Sequence, residues 1–212
     1  MAEKTTIEAV TKALEGSKKR KFKETVELAV NLKDVDLSIP KNRIDEDVIL
    51  PKGRGRDIKV GIFCGGELAR KSKGVADLVI SPEQIEEYAG DSKKTKKLAS
   101  DNTYFLAEAP LMPLIGKKLG KVLAPRGKMP KPIQPAADPV NVVANLKRTI
   151  SLKSKDRKTF HMPIGSKEMP VEDIAENIDL VVKRLTTKLE RGKLNIRSIF
   201  IKTTMGPSVR LL

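Results

Sequence analysis

The segment Thr203-Thr204-Met205-Gly206-Pro207-Ser208 has side chains suited to hydrogen bonding with a sugar-phosphate backbone. It follows an apolar run, Ile196 to Ile201, that is typical of a strand, and Gly206-Pro207 predicts a turn. Hydroxyl groups, a methionine and a glycine that lets another backbone approach closely make a poor core. On a turn, the same groups can contact phosphate and ribose. The segment therefore predicts a surface that binds nucleic acid.

The charge of the chain favours the same class of partner. Its formal net charge is +15, from 42 Lys and Arg against 27 Asp and Glu, so a polyanion is the natural ligand. No apolar run approaches the roughly 18 residues of a membrane-spanning helix, and we expect no membrane association. Aromatic residues make up 3% of the chain, which disfavours stacking on single strands and favours a folded RNA recognised by shape and backbone.

Residue types that could support catalysis are scarce. His161 is the only histidine and Cys64 the only cysteine, which excludes a multi-histidine metal site and an internal disulfide. Cys64 at a predicted strand end is typical of a small buried hydrophobic residue, and the single cysteine suits a reducing compartment. The glycines between 53 and 66 match neither a dinucleotide-binding nor a phosphate-binding loop. We therefore expect no catalytic residue, no metal and no cofactor.

Two basic clusters leave alternatives open. One spans 18–23, and the other spans 117–131, which contains no acidic residue at all. A run of lysines is most often a solvated surface. An acid-free run in a segment rich in glycine and proline can instead be a nucleic-acid contact, because its self-repulsion requires compensation.

Hydrophobic periodicity supplies the elements that must position these residues. In the predicted strand 22–32, one face is apolar apart from Glu24 and the other carries Lys21, Thr25 and Glu27. Helices are predicted over 5–15, 67–73, 82–88, 112–120, 139–150 and 170–191. Strands are predicted over 22–32, 45–50, 58–64, 76–80, 103–108, 159–164 and 196–204.

The order of these elements predicts an α/β protein of two domains, one interrupting the other. The outer domain would comprise 1–65 and 158–212, and the inserted domain 66–157 with a small parallel sheet. A single doubly wound α/β domain is the alternative. Two crossings between domains would form a natural hinge.

Three motifs resemble the ribosomal protein L-one family, the first protein of the large subunit. The stretch 115–130, IGKKLGKVLAPRGKMP, resembles the family signature. Residues 21–27, KFKETVE, resemble its first RNA-facing strand, and 203–208, TTMGPS, resemble its ending. The motifs occur in order across essentially the whole chain, and the lysine-rich loops resemble the archaeal branch.

The resemblance implies both a fold and a function. The outer domain would be a two-layer α/β unit with a split β-α-β arrangement, and the inserted domain a three-layer α/β unit. The protein would be cytoplasmic and associated with the ribosome, and it would be a monomer when free. It would bind large-subunit rRNA in a mobile stalk near the exit site and contact deacylated tRNA transiently. It would also repress translation by binding its own mRNA.

Carried over residue by residue, the family's contact surface implies RNA-binding roles at both chain ends. Phe22, Thr25, Glu27, Thr204, Met205 and Gly206 would contact RNA, with Lys21, Thr203 and Ser208 contributing. Two rival functions remain at this stage: an α/β enzyme acting on a phosphorylated or nucleic-acid substrate, and a basic RNA chaperone without specificity.

Overall fold

The computed structural model describes residues 3–134 and 137–212. Its α-helices are α1 Lys4–Glu15, α2 Gly66–Ser72, α3 Pro82–Gly90, α4 Ser92–Asp101, α5 Met112–Leu123, α6 Pro139–Arg148 and α7 Val171–Lys188. Its strands are β1 Thr25–Leu32, β2 Asp45–Ile49, β3 Val60–Phe63, β4 Leu78–Ile80, β5 Tyr104–Glu108, β6 Lys131–Ile133, β7 Thr149–Lys153, β8 Thr159–Ser166, β9 Ile196–Thr203 and β10 Ser208–Arg210.

The chain divides into two compact units, Met1–Arg56 with Arg148–Leu212 and Asp57–Lys147. The first is called the terminal unit below, and the second the central unit. In the described ranges the strands form three separate sheets, so the alternative of one doubly wound domain is wrong. No helix in these ranges is long and apolar enough to cross a membrane.

The terminal unit is a two-layer structure. Its main sheet has the order β10-β9-β1-β8, with neighbouring strands antiparallel. Strands β8 and β9, connected by α7, lie on either side of β1, which is the predicted split β-α-β arrangement. Helices α1 and α7 cover one face, and the apolar stripe of α7 packs against alternate residues of β1, β8 and β9. A two-stranded antiparallel ribbon of β2 and β7 completes the unit.

The central unit has three layers. Its parallel sheet has the order β4-β3-β5-β6. One face packs against α3, α4 and α5 through a core that includes Phe63 and Phe105, and the other packs against α2 and α6 through a core that includes Ile62 and Leu106. Both sheet faces are covered, as parallel strands require. The predicted α/β class with a small parallel sheet is confirmed.

The divisions between the units differ from the predicted joints at 65/66 and near 156–159. Strand β3 lies in the central parallel sheet, so that sheet begins before Gly65. Strand β7 pairs with β2 of the terminal unit, so the chain has returned before residue 156. A helix predicted to reach Ile150 ends at Arg148 because the following residues form β7.

The predicted strand 22–32 is also too long. Strand β1 begins at Thr25, and Phe22 lies in a bend with 52% of its surface exposed. Glu24 is buried, in phase with Val26 and Leu28, but its carboxylate is satisfied by polar groups of the preceding loop. That loop therefore folds around Glu24 instead of extending the sheet.

Candidate RNA-binding surface

The main sheet of the terminal unit leaves one face uncovered by its helices. Across this face, Glu27 of β1 is paired in register with Lys202 of β9, and Ala29 with Phe200. On the other side of β1, Ala29 is opposite His161 of β8. The face carries the partly exposed Glu27 and Lys202 and the exposed His161 around the apolar pair Ala29 and Phe200, whereas Val26 and Leu28 of β1 point into the core. Such an alternating sheet can present one side to a ligand.

The turn after β9 is fixed by Thr204 to Thr25, the first residue of β1. Its amide donates to the Thr25 carbonyl at 3.0 Å. Its hydroxyl accepts from the Thr25 amide at 3.1 Å and lies 3.2 Å from the same carbonyl. Both donors of Thr204 are thus directed at the protein. The residue acts mainly by holding the turn in place, and the next side chain, Met205, is 63% exposed.

Thr203 does not lie on the surface. The side chain is completely buried at the end of β9, so any contribution of Thr203 to RNA binding would come through its support of the turn. Strand alternation explains this, since Lys202 points to the open face and Thr203 to the interior. Gly206 sits directly over it: a Cβ on Gly206 would lie 2.3 Å from the Thr203 hydroxyl oxygen and 3.3 Å from Ser17 Cβ. Only glycine fits here without a shift of the turn.

A buried polar cluster lies beneath the turn, formed by Ser17, Arg20, Glu24 and Lys167. The Ser17 hydroxyl donates to Glu24 Oε2 at 2.6 Å and the Arg20 guanidinium donates to Oε1 at 2.5 Å. Lys167 Nζ donates to the Ser17 carbonyl at 3.0 Å and lies 3.9 Å from Glu24 Oε2. Arg20 also donates to the Met205 carbonyl at 3.3 Å. The cluster thus joins the basic 17–23 loop to the turn.

This cluster keeps Glu24 ionised. The hydrogen bond from Ser17 and the contact with Arg20 hold the pKa of the carboxyl below its ordinary value, although burial acts in the opposite direction. Within the described residues the Thr203 hydroxyl makes no hydrogen bond of good geometry, yet it lies near enough to Glu24 to lower this pKa further. An ionised Glu24 in turn keeps Arg20 and Lys167 in place.

Two cation contacts at this surface were not predicted from the sequence, although Arg20 lies in the basic cluster 18–23. Arg20 contacts the turn through the Met205 carbonyl. Arg56, which follows the glycine-rich loop, donates to the Thr25 hydroxyl at 3.3 Å. Nothing in the spacing of Arg56 and Thr25, 31 residues apart, indicates this contact. Because basic residues are abundant throughout the chain, neither of these two contacts could be singled out from the sequence.

The remaining predicted residues are exposed around the same turn. Lys21 and Phe22 lie in the loop before β1, and Ser208 begins β10, where it is paired with Lys202. The structure therefore brings Thr25, Glu27, Thr204, Met205, Gly206 and Ser208 together on adjoining strands and the turn between them.

The stretch 115–130 has a structural role in the central unit. Lys128 Nζ donates to the carbonyls of Ala99 and Asn102 at 2.6 and 2.7 Å, at the end of α4. Arg126 donates to the Lys96 carbonyl and the Ser100 hydroxyl, both at 3.1 Å. Cations are favourable at a helix C-terminus, where carbonyls lack partners. Burial and the nearby Arg126 lower the pKa of Lys128.

Comparison with known proteins gives a consistent result. The model of the ribosomal protein L1p/L10e family matches residues 12–207. The large ribosomal subunit protein uL1 of Methanocella arvoryzae is 54% identical over the full length of both chains. Proteins of the same name from Thermoplasma acidophilum and Archaeoglobus fulgidus are 52% and 48% identical, over 96% and 97% of this chain and 94% and 96% of theirs. A two-unit α/β chain whose two ends build one polar sheet, matched along its length by these archaeal proteins, belongs to the ribosomal protein L1p/L10e family.

Proposed function

We propose that this chain is a structural protein of the large ribosomal subunit that binds rRNA through the surface formed by Thr25, Glu27, Thr204, Met205 and Gly206. The observation that carries the proposal is the turn of β9, which is fixed to β1 by Thr204 and exposes Met205 beside a glycine. A rigid, preorganised surface loses little entropy on binding. The family and its relatives are ribosomal proteins, so the rival enzymatic function is set aside.

The arrangement suits selective recognition of RNA backbone. Glu27 is an acceptor on an otherwise basic face, and a carboxylate can accept hydrogen bonds from a ribose 2′-hydroxyl or a base amino group. Arg20, Arg56 and Lys202 lie on or next to the same surface and can neutralise phosphates. Cationic residues therefore attract RNA in general, and other residues of the same surface select the specific RNA.

The finer function is part of the same proposal. The free protein is a cytoplasmic monomer, and on the ribosome it forms the mobile stalk near the exit site and takes part in the release of deacylated tRNA. It represses translation of its own mRNA by presenting the same surface to a similar RNA element. Competition between rRNA and mRNA fragments for one site on the protein supports this part, whereas simultaneous binding of both contradicts it.

Thr204→Val is expected to weaken binding of the specific rRNA fragment by about tenfold or more. The substitution keeps the volume but removes the hydroxyl bonds to Thr25, and each such bond is worth about 0.5–1.5 kcal/mol with a further cost for the unpaired amide. Met205→Ala is expected to have a similar effect on affinity with no loss of stability, because its side chain is exposed. Fluorescence anisotropy and thermal unfolding measure the two quantities.

The matched control is Leu194→Ala, which truncates another exposed apolar side chain of the terminal unit. It is expected to leave affinity unchanged. Wild-type affinity in both Thr204→Val and Met205→Ala would remove this surface from the proposal.

Binding to the specific rRNA fragment is expected to weaken less with salt than binding to a random RNA duplex. Non-specific attraction depends on counterion release and falls steeply as salt rises. Short hydrogen bonds from which water is excluded are screened far less. The ratio of the two affinities should therefore increase between about 0.05 and 0.5 M salt.

Two kinds of variant test whether different residues are responsible for non-specific and for specific RNA binding. Neutralising the exposed Lys18 and Lys19 should reduce both affinities and flatten both salt slopes. Met205→Ala should reduce only the specific affinity. Parallel slopes for the two RNAs, unchanged by Met205→Ala, would mean that recognition is bulk electrostatics and would favour the unspecific chaperone.

A further inference from the structure

The helical layer of the central unit that contains α3, α4 and α5 is divided by charge. Helix α3 carries Glu83, Glu86 and Glu87, whereas the exposed lysines of α4 and α5 are Lys93, Lys94, Lys96, Lys97, Lys117, Lys118 and Lys121. No acidic residue occurs between Glu108 and Asp138. The three helices pack on one another and on one sheet face, so this segregation produces a basic area beside an acidic one.

The lysines of α5 serve no internal contact in the described parts of the chain. Lys94 pairs with Glu87 at 2.9 Å, and Arg126 and Lys128 bind the carbonyls at the end of α4. In contrast, Lys117, Lys118 and Lys121 have no salt bridge or hydrogen bond within residues 3–134 and 137–212. Three exposed cations on one helix are thus available to a polyanionic ligand without the loss of an ion pair within the described residues.

Two glycines lie beside these lysines on α5. Gly116 and Gly120 lie one turn apart in α5, and a Cβ on either would meet nothing within 4 Å. Glycine inside a helix costs about 0.5–1 kcal/mol relative to alanine, and no packing within the unit requires it at these two positions. The glycines let a bulky backbone approach α5 next to its lysines.

We propose that the exposed face of α5, with Lys117, Lys118 and Lys121 beside Gly116 and Gly120, is a second RNA-binding surface that contacts the sugar-phosphate backbone without reading sequence. Lysine is a compact point charge suited to phosphate, and α5 has no aromatic residue for stacking on bases. This surface lies in the central unit and is separate from the residues of the proposed rRNA site. Charge and shape favour RNA backbone over an acidic protein segment.

The first test compares two triple variants of the full chain with equal loss of charge. Lys117→Gln, Lys118→Gln and Lys121→Gln together should lower the affinity for a random RNA duplex at 0.1 M salt by about tenfold and flatten the slope of log affinity against log salt by about 2. The control replaces Lys4, Lys12 and Lys183 with Gln, which are exposed lysines of α1 and α7. It should leave the slope within about 0.5 of wild type. Equal effects of the two triple variants, or no effect of either, overturn the proposal.

The second test keeps the charge constant. Gly120→Gln should stabilise α5 by about 0.5–1 kcal/mol, because glycine is the poorer helix former, and it should still weaken duplex binding about threefold or more by blocking close approach. Wild-type duplex affinity in this variant overturns the proposed contact. Binding of polyglutamate is measured in the same way. If wild type binds polyglutamate as tightly as RNA and the α5 triple variant does not bind it, the surface belongs to an acidic protein partner instead. Met205→Ala should leave duplex binding unchanged. The proposals for the α5 surface and for the rRNA site can therefore be disproved independently of each other.

Discussion

Glu24→Ala is expected to lower the free energy of unfolding by about 2–3 kcal/mol. The carboxylate is 2% exposed, and its removal leaves the Ser17 hydroxyl without its acceptor and Arg20 and Lys167 without their counter-charge. The side chains of Arg20 and Lys167 are partly exposed, so the loss stays below that of a fully buried ion pair. Urea unfolding monitored by circular dichroism measures the change.

Glu27→Ala is the matched control, because Glu27 lies three residues further on and on the open face. It is expected to change stability by less than about 0.5 kcal/mol. The two glutamates should thus separate stability from the proposed RNA recognition, with Glu27→Ala weakening rRNA binding only. Equal stability of the two variants would show that the buried cluster contributes nothing.

The same cluster predicts a dependence on pH. The pKa of Glu24 is lower in the folded protein than its ordinary value of about 4.5, so its stabilisation is complete above that value and is lost as pH falls through the folded pKa. Glu24→Gln lacks this ionisation. The difference in unfolding free energy between wild type and Glu24→Gln should be constant from about pH 6 to pH 8 and should shrink below about pH 4.5. A difference that grows on acidification would contradict the assignment.

Gly206→Ala is expected to reduce affinity for the specific rRNA fragment by about 10–100-fold. Its Cβ would lie 2.3 Å from the buried Thr203 hydroxyl oxygen, so the turn must move away from β1 and carry Met205 with it. Overpacking of this kind costs about 1–3 kcal/mol of stability as well. Anisotropy titration and thermal unfolding on the same preparation give both values.

A double-mutant cycle tests this cause directly. Thr203→Ala removes the oxygen that a Cβ on Gly206 would clash with and leaves Ser17 Cβ at 3.3 Å and Thr203 Cβ at 3.5 Å, so Thr203→Ala with Gly206→Ala should recover part of the lost affinity. Gly90→Ala is the control, because the added methyl at the end of α3 meets nothing within 4 Å and Gly90 belongs to neither proposed RNA surface, so affinity should stay unchanged. Absence of any rescue would mean that the turn is sensitive for a reason other than this contact.

Long apolar stripes, together with residues typical of the ends of helices and strands, made most of the fold predictable. The helix 170–191 and the alternating strand after Thr25 were recognisable because periodicity dominated their composition. Helix α4 was missed because its lysines outnumber its buried residues, although Asp91 caps it and Thr95, Leu98 and Ala99 share one face. Strands β6 and β10 have three residues each, which is too short for a periodic signal.

The candidate site was predictable in its residues but not in its construction. Family resemblance indicated Thr204, Met205 and Gly206, whereas the directions of their side chains depend on pairing with β1 across more than 170 residues. For that reason Thr203 was placed on the surface, and Arg56 was not connected with Thr25. The unexpected Glu24 in an apolar phase was the one local sign of the buried cluster.

The sheet order of the terminal unit also constrains how the protein folds during synthesis. Among the described strands, β1 pairs with β8 and β9 alone, with Thr25 opposite Ser166 and Val26 opposite Thr203. The central unit is a continuous segment and can fold as soon as it leaves the ribosome, whereas β1 must wait until β9 has been made. A nascent or truncated chain ending before β9 therefore has no turn to bind RNA. The protein becomes competent for its proposed target only after β9 and the turn that follows it have been made.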